Sequence, residues 1–95
     1  MNIKKLLLIF AFIFHWAVFS QTSNEYFEQG KAQAKLKDYT AALNSFTMAI
    51  AKDSSNAQAY NNRGNIKEVQ NDNQGAIADF SKAISIDSLN AYAYY

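Results

Sequence analysis

The chain repeats itself with a period of 34 residues. Residues 57–90 align without a gap on residues 23–56 and share ten identities with them. The identical pairs are Tyr26 and Tyr60, Gly30 and Gly64, Asp38 and Asp72, Ala42 and Ala76, Phe46 and Phe80, Ala49 and Ala83, Ile50 and Ile84, Asp53 and Asp87, Ser54 and Ser88, and Asn56 and Asn90. A fixed period of this length is typical of repeat architectures, in which neighbouring units stack on one another.

Each copy predicts two amphipathic helices, because small and apolar residues recur at intervals of three and four. The predicted helices are Asn24–Leu36, Thr40–Lys52, Ala57–Gln70 and Gln74–Ile86. The polar segments between them are the turns Lys37–Asp38 and Asn71–Asn73 and the links Asp53–Asn56 and Asp87–Asn90. Asn suits such turns because it tolerates a left-handed backbone. The predicted fold is all-α, a short solenoid of antiparallel helix-turn-helix repeats.

Small residues at matching positions of the two copies have a packing role. Gly30 and Gly64 allow the two helices of a copy to approach closely, and Phe46 and Phe80 fill the space between them. We interpret this stripe of aromatic and small residues as core packing, and we predict no cofactor.

The spacing resembles that of the tetratricopeptide repeat (TPR) family. Its pattern places an aromatic residue at repeat position 4, Gly at 8, Ala at 20, an aromatic residue at 24 and Ala at 27. The matching residues are Tyr26, Gly30, Ala42, Phe46 and Ala49 in the first copy, and Tyr60, Gly64, Ala76, Phe80 and Ala83 in the second. The resemblance covers residues 23–95: repeat one is 23–56, repeat two is 57–90, and a truncated third repeat begins at 91–95.

Three positions depart from the family pattern. The chain contains no Pro, so the Pro of position 32 is missing. Position 7, usually Leu, is Gln29 and Arg63, and position 11, often Tyr, is Gln33 and Lys67. These departures predict modest stability.

The resemblance implies binding of a peptide or partner domain in a groove lined by the first helix of each repeat. The residues of this chain that it places in or beside that groove are Phe27, Lys31, Lys35, Asn61, Asn62, Asn65 and Glu68. Asn amides carry both donors and acceptors, which suits an extended peptide backbone. The clamp for a C-terminal carboxylate found in some members is matched here by Asn62 alone, so we do not predict it. The alternative that these are ordinary solvated residues stays open.

The first 20 residues predict a signal for export. Lys4 and Lys5 precede the segment Leu6–Phe19, which is apolar except for His15, and we predict cleavage between Ser20 and Gln21. A retained membrane anchor is the alternative. However, 14 helical residues span about 21 Å, less than the roughly 30 Å of a hydrocarbon core. The predicted location is periplasmic, cell-envelope or secreted.

Composition disfavours several classes of function. Loss of Lys4 and Lys5 leaves seven Lys and Arg against eight Asp and Glu. The sequence therefore shows no excess of basic residues that would predict nucleic-acid binding. The chain has no Cys, and its only His lies in the predicted signal. The commonest general base and the thiol nucleophile are therefore missing, and we predict that the protein is not an enzyme. No converging set of oxygen ligands predicts a metal site.

Together these features predict an exported TPR scaffold that binds a protein or peptide. Two alternatives stay open. The repeats could be the N-terminal docking region of a larger enzyme or sensor. They could also form a membrane-anchored structural adaptor, if residues 6–19 are retained as an anchor.

Overall fold

The computed structural model of the protein describes residues 21–93, with side chains described for residues 21–89. The helices in this range are α1 (Ser23–Lys35), α2 (Tyr39–Lys52), α3 (Ala57–Val69) and α4 (Asn73–Ala93), and it contains no strand. The all-α fold of TPR-like antiparallel helix pairs is thus confirmed. The predicted signal, residues 1–20, lies outside the described residues, as do residues 94 and 95.

Each repeat reverses direction within three residues. After α1, the backbone N–H of Asp38 donates to the carbonyl of Gln33 at 2.9 Å, and that of Lys37 donates to the carbonyl of Ala34 at 2.9 Å. This is a Schellman motif, and Lys37 takes the left-handed conformation that it requires, with φ of 62°. The carboxylate of Asp38 then accepts from the N–H of Ala41 at 3.4 Å, which caps α2. Asp38 therefore both closes α1 and opens α2.

The second copy builds the same turn. The N–H of Asp72 donates to the carbonyl of Lys67 at 2.8 Å, and that of Asn71 donates to Glu68 at 2.9 Å. Asn71 has a φ of 66°, so the left-handed role predicted for an Asn in this turn is confirmed. Asp72 caps α4 by accepting from the N–H of Gly75 at 3.0 Å.

Phe46 lies at the centre of the first repeat and is 1% exposed. Its ring packs directly against the backbone of α1 at Gly30, where an added Cβ would lie only 2.7 Å from the ring. The ring of Phe27 is 5.9 Å away, centroid to centroid. The core around Phe46 draws on three helices and contains Tyr26, Phe27, Ala42, Ala49, Ala59 and Ile66.

The two repeats are joined through α2, which packs against both α1 and α3, whereas α4 packs against α3. The link Asp53–Asn56 adds polar contacts. The hydroxyl of Ser23 donates to the carbonyl of Ala49 at 2.7 Å and accepts from the amide of Asn56 at 3.4 Å. The same Asn56 side chain caps α3 by accepting from the N–H of Ala59 at 3.0 Å.

The predicted link at Asp87–Asn90 is wrong, because α4 continues through it to Ala93. In the first link, the carboxylate of Asp53 accepts from both the hydroxyl and the N–H of Ser55, at 2.6 and 3.0 Å. The second copy has Leu89 at this position. Leu offers no hydroxyl and favours a helix, so the stop signal is lost. The assignment of residues 91–95 to a third repeat stays a prediction.

Within residues 21–93, α4 is the one helix of more than 18 residues, and it is not apolar enough to cross a membrane.

The two glycines at the helix contacts differ in what surrounds them, and this predicts different responses to Ala. A Cβ at Gly30 would meet Phe46 at 2.7 Å, and one at Gly64 would meet Phe80 at 2.8 Å. Phe46 is fully enclosed, whereas Phe80 is half-buried and has room to shift. We expect Gly30→Ala to cost about 1–3 kcal/mol of the free energy of unfolding. Gly64→Ala should cost less, because the gain in helix propensity of about 1 kcal/mol offsets a smaller strain. Urea denaturation of both variants measures the difference; equal losses would contradict the distinction.

Candidate functional site

A groove with a volume of about 660 Å³ lies between α1, α3 and α4. Its lining comes from all three helices and consists of Phe27 and Lys31 on α1, Ala57, Gln58, Asn61 and Asn62 on α3, and Phe80, Ala83, Ile84 and Asp87 on α4. The volume falls within the range of about 300–1,000 Å³ that is usual for ligand sites in proteins. It is the largest of the grooves described within residues 21–89.

The apolar part of the groove arises from the second copy of the core position. Phe80 corresponds to Phe46 and packs on Gly64 as Phe46 packs on Gly30. However, Phe80 is only half-buried, and its exposed side faces the groove beside Ile84, which is 66% exposed. When a ligand covers an apolar surface of this kind, the free energy falls by about 25 cal/mol for each Å² that is buried.

The polar part of the groove is formed by amides on α3. Gln58 and Asn61 are exposed, and Asn62 is half-buried. Among the described residues, none of these three amides has a hydrogen-bond partner in another side chain or in the backbone. Their donors and acceptors are therefore available to a ligand.

Two charged side chains lie on different helices at the groove. Lys31 on α1 places its ammonium 4.8 Å from the centroid of the Phe27 ring and 3.0 Å from Glu28. Asp87 lies on α4 and is exposed. The cation and the anion at the groove therefore come from different helices, both of which pack against α3.

The structure brings together four of the residues that the sequence places at the site, Phe27, Lys31, Asn61 and Asn62. Asn65 lies in a smaller hollow of about 240 Å³ that shares Lys31 and Asn62 with the groove.

Lys35 and Glu68 are exposed and line neither cavity. The contribution of α4 was missed, because the family resemblance assigns the groove to the first helices alone. The signal that pointed to it was the helical recurrence of Phe80, Ala83 and Ile84.

A network of charged side chains connects α3 to the helices beside it. The carboxylate of Asp79 on α4, which is 4% exposed, accepts two hydrogen bonds from Arg63 at 2.8 and 2.7 Å. Lys67 adds an ion pair at 3.0 Å. Arg63 also donates to the hydroxyl of Thr47 on α2 at 3.3 Å, so the network connects α2, α3 and α4.

The first repeat has a neutral pair where the second has this network. Ser45, the counterpart of Asp79, donates to Gln33, the counterpart of Lys67, at 2.6 Å. In both repeats the polar residue at position 11 therefore binds a polar residue on the facing helix, and at position 7 Arg63 does so in the second repeat. No buried side-chain N or O within residues 21–89 lacks a partner.

The contacts of the network shift the pKa of Asp79 and of Arg63. Burial raises the pKa of the Asp79 carboxyl, but hydrogen bonds from Arg63 and Lys67 lower it by more, so the net pKa lies below its ordinary value. The hydrogen bond to Asp79 raises the pKa of Arg63. Asp79 and Arg63 are thus both charged at neutral pH.

Comparison with known proteins agrees with this geometry. Residues 57–88 match the tetratricopeptide repeat family model, which covers most of the second repeat, and no curated protein matches the chain. The match and the paired helices together support a protein of the TPR class. Such repeats are protein–protein interaction modules, and the similarity suggests that role here. Within the described residues, no cluster of His, Cys, Asp or Glu could hold a metal ion.

The network predicts that acid weakens the fold. Because the pKa of Asp79 is lower in the folded protein, the unfolded chain binds its proton more readily. The stabilisation is therefore complete well above about pH 4 and is lost as the pH falls through and below that value. We expect Asp79→Asn to cost about 1–3 kcal/mol at pH 7 and to flatten the loss of stability below pH 5. Asp72→Asn is the control, because Asn caps a helix as well as Asp does. Urea denaturation across pH 3–7 measures both variants; the same acid profile in Asp79→Asn and wild type would contradict the assignment.

Proposed function

We propose that the protein is an exported interaction module that binds an extended peptide, or an extended segment of a partner domain, in the groove between α1, α3 and α4. The observation that carries the proposal is the pairing of amides on α3, which have no partner among the described residues, with an apolar surface formed by Phe80 and Ile84. No catalytic step is assigned to the chain.

An extended peptide matches both halves of this surface. Its backbone presents alternating N–H and C=O groups, and an Asn side chain can satisfy one of each. Its side chains point alternately to opposite sides, so one apolar side chain can enter the space beside Phe80 while the backbone contacts Asn61 and Asn62. Since the groove is open and already formed, a ligand pays little for rearrangement of the protein.

Peptides selected from a random displayed library against the purified protein test this proposal. We expect the double variant Asn61→Ala, Asn62→Ala to raise the dissociation constant of the selected peptides about tenfold, because two hydrogen bonds of about 0.5–1.5 kcal/mol each are lost. Fluorescence anisotropy measures the change.

Asn44→Ala is the matched control for this experiment. Asn44 is exposed on α2 and lies beside Tyr26 and Met48, in a hollow that shares no residue with the groove. An equal loss of affinity in the control, or failure of the library to yield any binder, would count against peptide binding in the groove.

Export rests on the charged and apolar pattern of residues 1–20. We expect protein recovered after export to begin at Gln21, since Val18 and Ser20 are small enough for the cleavage site. Intact-mass measurement distinguishes the outcomes. A mass that includes residues 1–20 would contradict cleavage and favour a retained anchor.

A further inference from the structure

We propose that the groove selects peptides by charge, and that its ligand carries a basic residue and an acidic residue together with a bulky apolar residue. This inference rests on the proposed function, because it names the chemistry of the peptide that the groove would bind. It follows from the two charged residues among the described side chains that line the groove, Lys31 and Asp87.

The two charges come from different helices. Lys31 lies on α1 and Asp87 on α4, and each of these helices packs against α3. The other described residues that line the groove are neutral. A ligand in the groove therefore meets a cation from α1 and an anion from α4. A like charge beside either residue would be repelled, so the pair discriminates between ligands as well as attracting them.

The ammonium of Lys31 is held at the edge of the groove. It lies 4.8 Å from the centroid of Phe27 and forms an ion pair with Glu28 at 3.0 Å. Both members of this pair are largely exposed, with side-chain exposures of 46% and 58%. Exposed ion pairs contribute little to stability, so the carboxylate of a ligand can share or replace Glu28.

The apolar part of the groove sets the third feature of the ligand. Phe80 is half-buried, and Ile84 adds a surface that is 66% exposed. Both residues lie on α4, as Asp87 does, whereas Lys31 lies on α1. A ligand with a bulky apolar side chain and one charge of each sign therefore matches the kinds of residue that line the groove.

Selection from a random seven-residue displayed library, against wild type and two single charge reversals, tests the inference. Peptides enriched on wild type should contain one acidic and one basic residue together with an apolar residue. Lys31→Glu should enrich peptides with two basic residues, and Asp87→Lys should enrich peptides with two acidic residues. This readout is charge composition, so it does not depend on the direction in which the peptide lies.

The affinity of a wild-type-selected peptide gives the second readout. Each reversal should weaken it by about two- to thirtyfold, since a pair worth about 0.2–1 kcal/mol becomes a repulsion of similar size. In the variants Lys31→Gln and Asp87→Asn, which remove a charge, the logarithm of the affinity should change by about half as much. These variants replace the reversals if a reversal disturbs folding. Raising the salt concentration should reduce the difference between wild type and variants.

Lys35→Glu and Glu68→Lys are the matched controls, because both residues are exposed and line neither the groove nor the adjoining hollow. They should leave the selected charge pattern unchanged. Peptides that bind with no charge bias, or a bias that the controls alter as much, would overturn this inference and leave peptide binding intact. A library that yields no binder would overturn both. A change of oligomeric state in the reversal variants, seen by light scattering without any change in selected peptides, would assign the groove to a second copy of the chain and overturn the inference.

Discussion

The ring of Phe46 packs against the backbone of α1 at Gly30, and the rest of the described fold depends on this contact. It sets the distance between α1 and α2, and Phe46 belongs to the same buried core as Ala59 and Ile66 on α3. One side chain thus fixes three helices. Since interiors are close-packed, a larger residue at Gly30 or a smaller one at Phe46 would displace the second repeat as well as the first.

The same contact recurs in the second repeat with a different result. Phe80 packs on Gly64, but within residues 21–89 no helix encloses its outer side as α3 encloses Phe46. The residue that forms the core in one copy therefore forms an apolar wall of the groove in the next. The candidate site is a consequence of the repeat, because the last described unit exposes a surface that an inner unit buries.

The period and the recurrence of small residues predicted the helix pairs, because both patterns come from backbone geometry. The turns were also predictable from backbone geometry, and Asn71 does take the left-handed conformation. The second link was wrong because α4 continues to Ala93. The second copy lacks the hydroxyl of Ser55 that binds Asp53 after α2, and Leu89 in its place favours a helix. The site was only partly predictable. Phe27, Lys31, Asn61 and Asn62 lie on the expected faces, but the share of α4 depends on which neighbour covers it, and a repeat pattern does not contain that information.

Asp38 takes part both in the hydrogen bonds that end α1 and in those that begin α2, and Asp72 acts in the same way between α3 and α4. The angle within a repeat cannot change unless these hydrogen bonds break. The link Asp53–Asn56 has four residues and is restrained by a side-chain hydrogen bond from Asn56 to Ser23 and by a backbone hydrogen bond from Asn56 to Asp53. It is the joint between the two units. The groove spans that joint, since one of its walls belongs to the first unit and two to the second. A molecule bound in the groove would hold the two units at a fixed angle. Bending at the joint would in turn widen or narrow the groove.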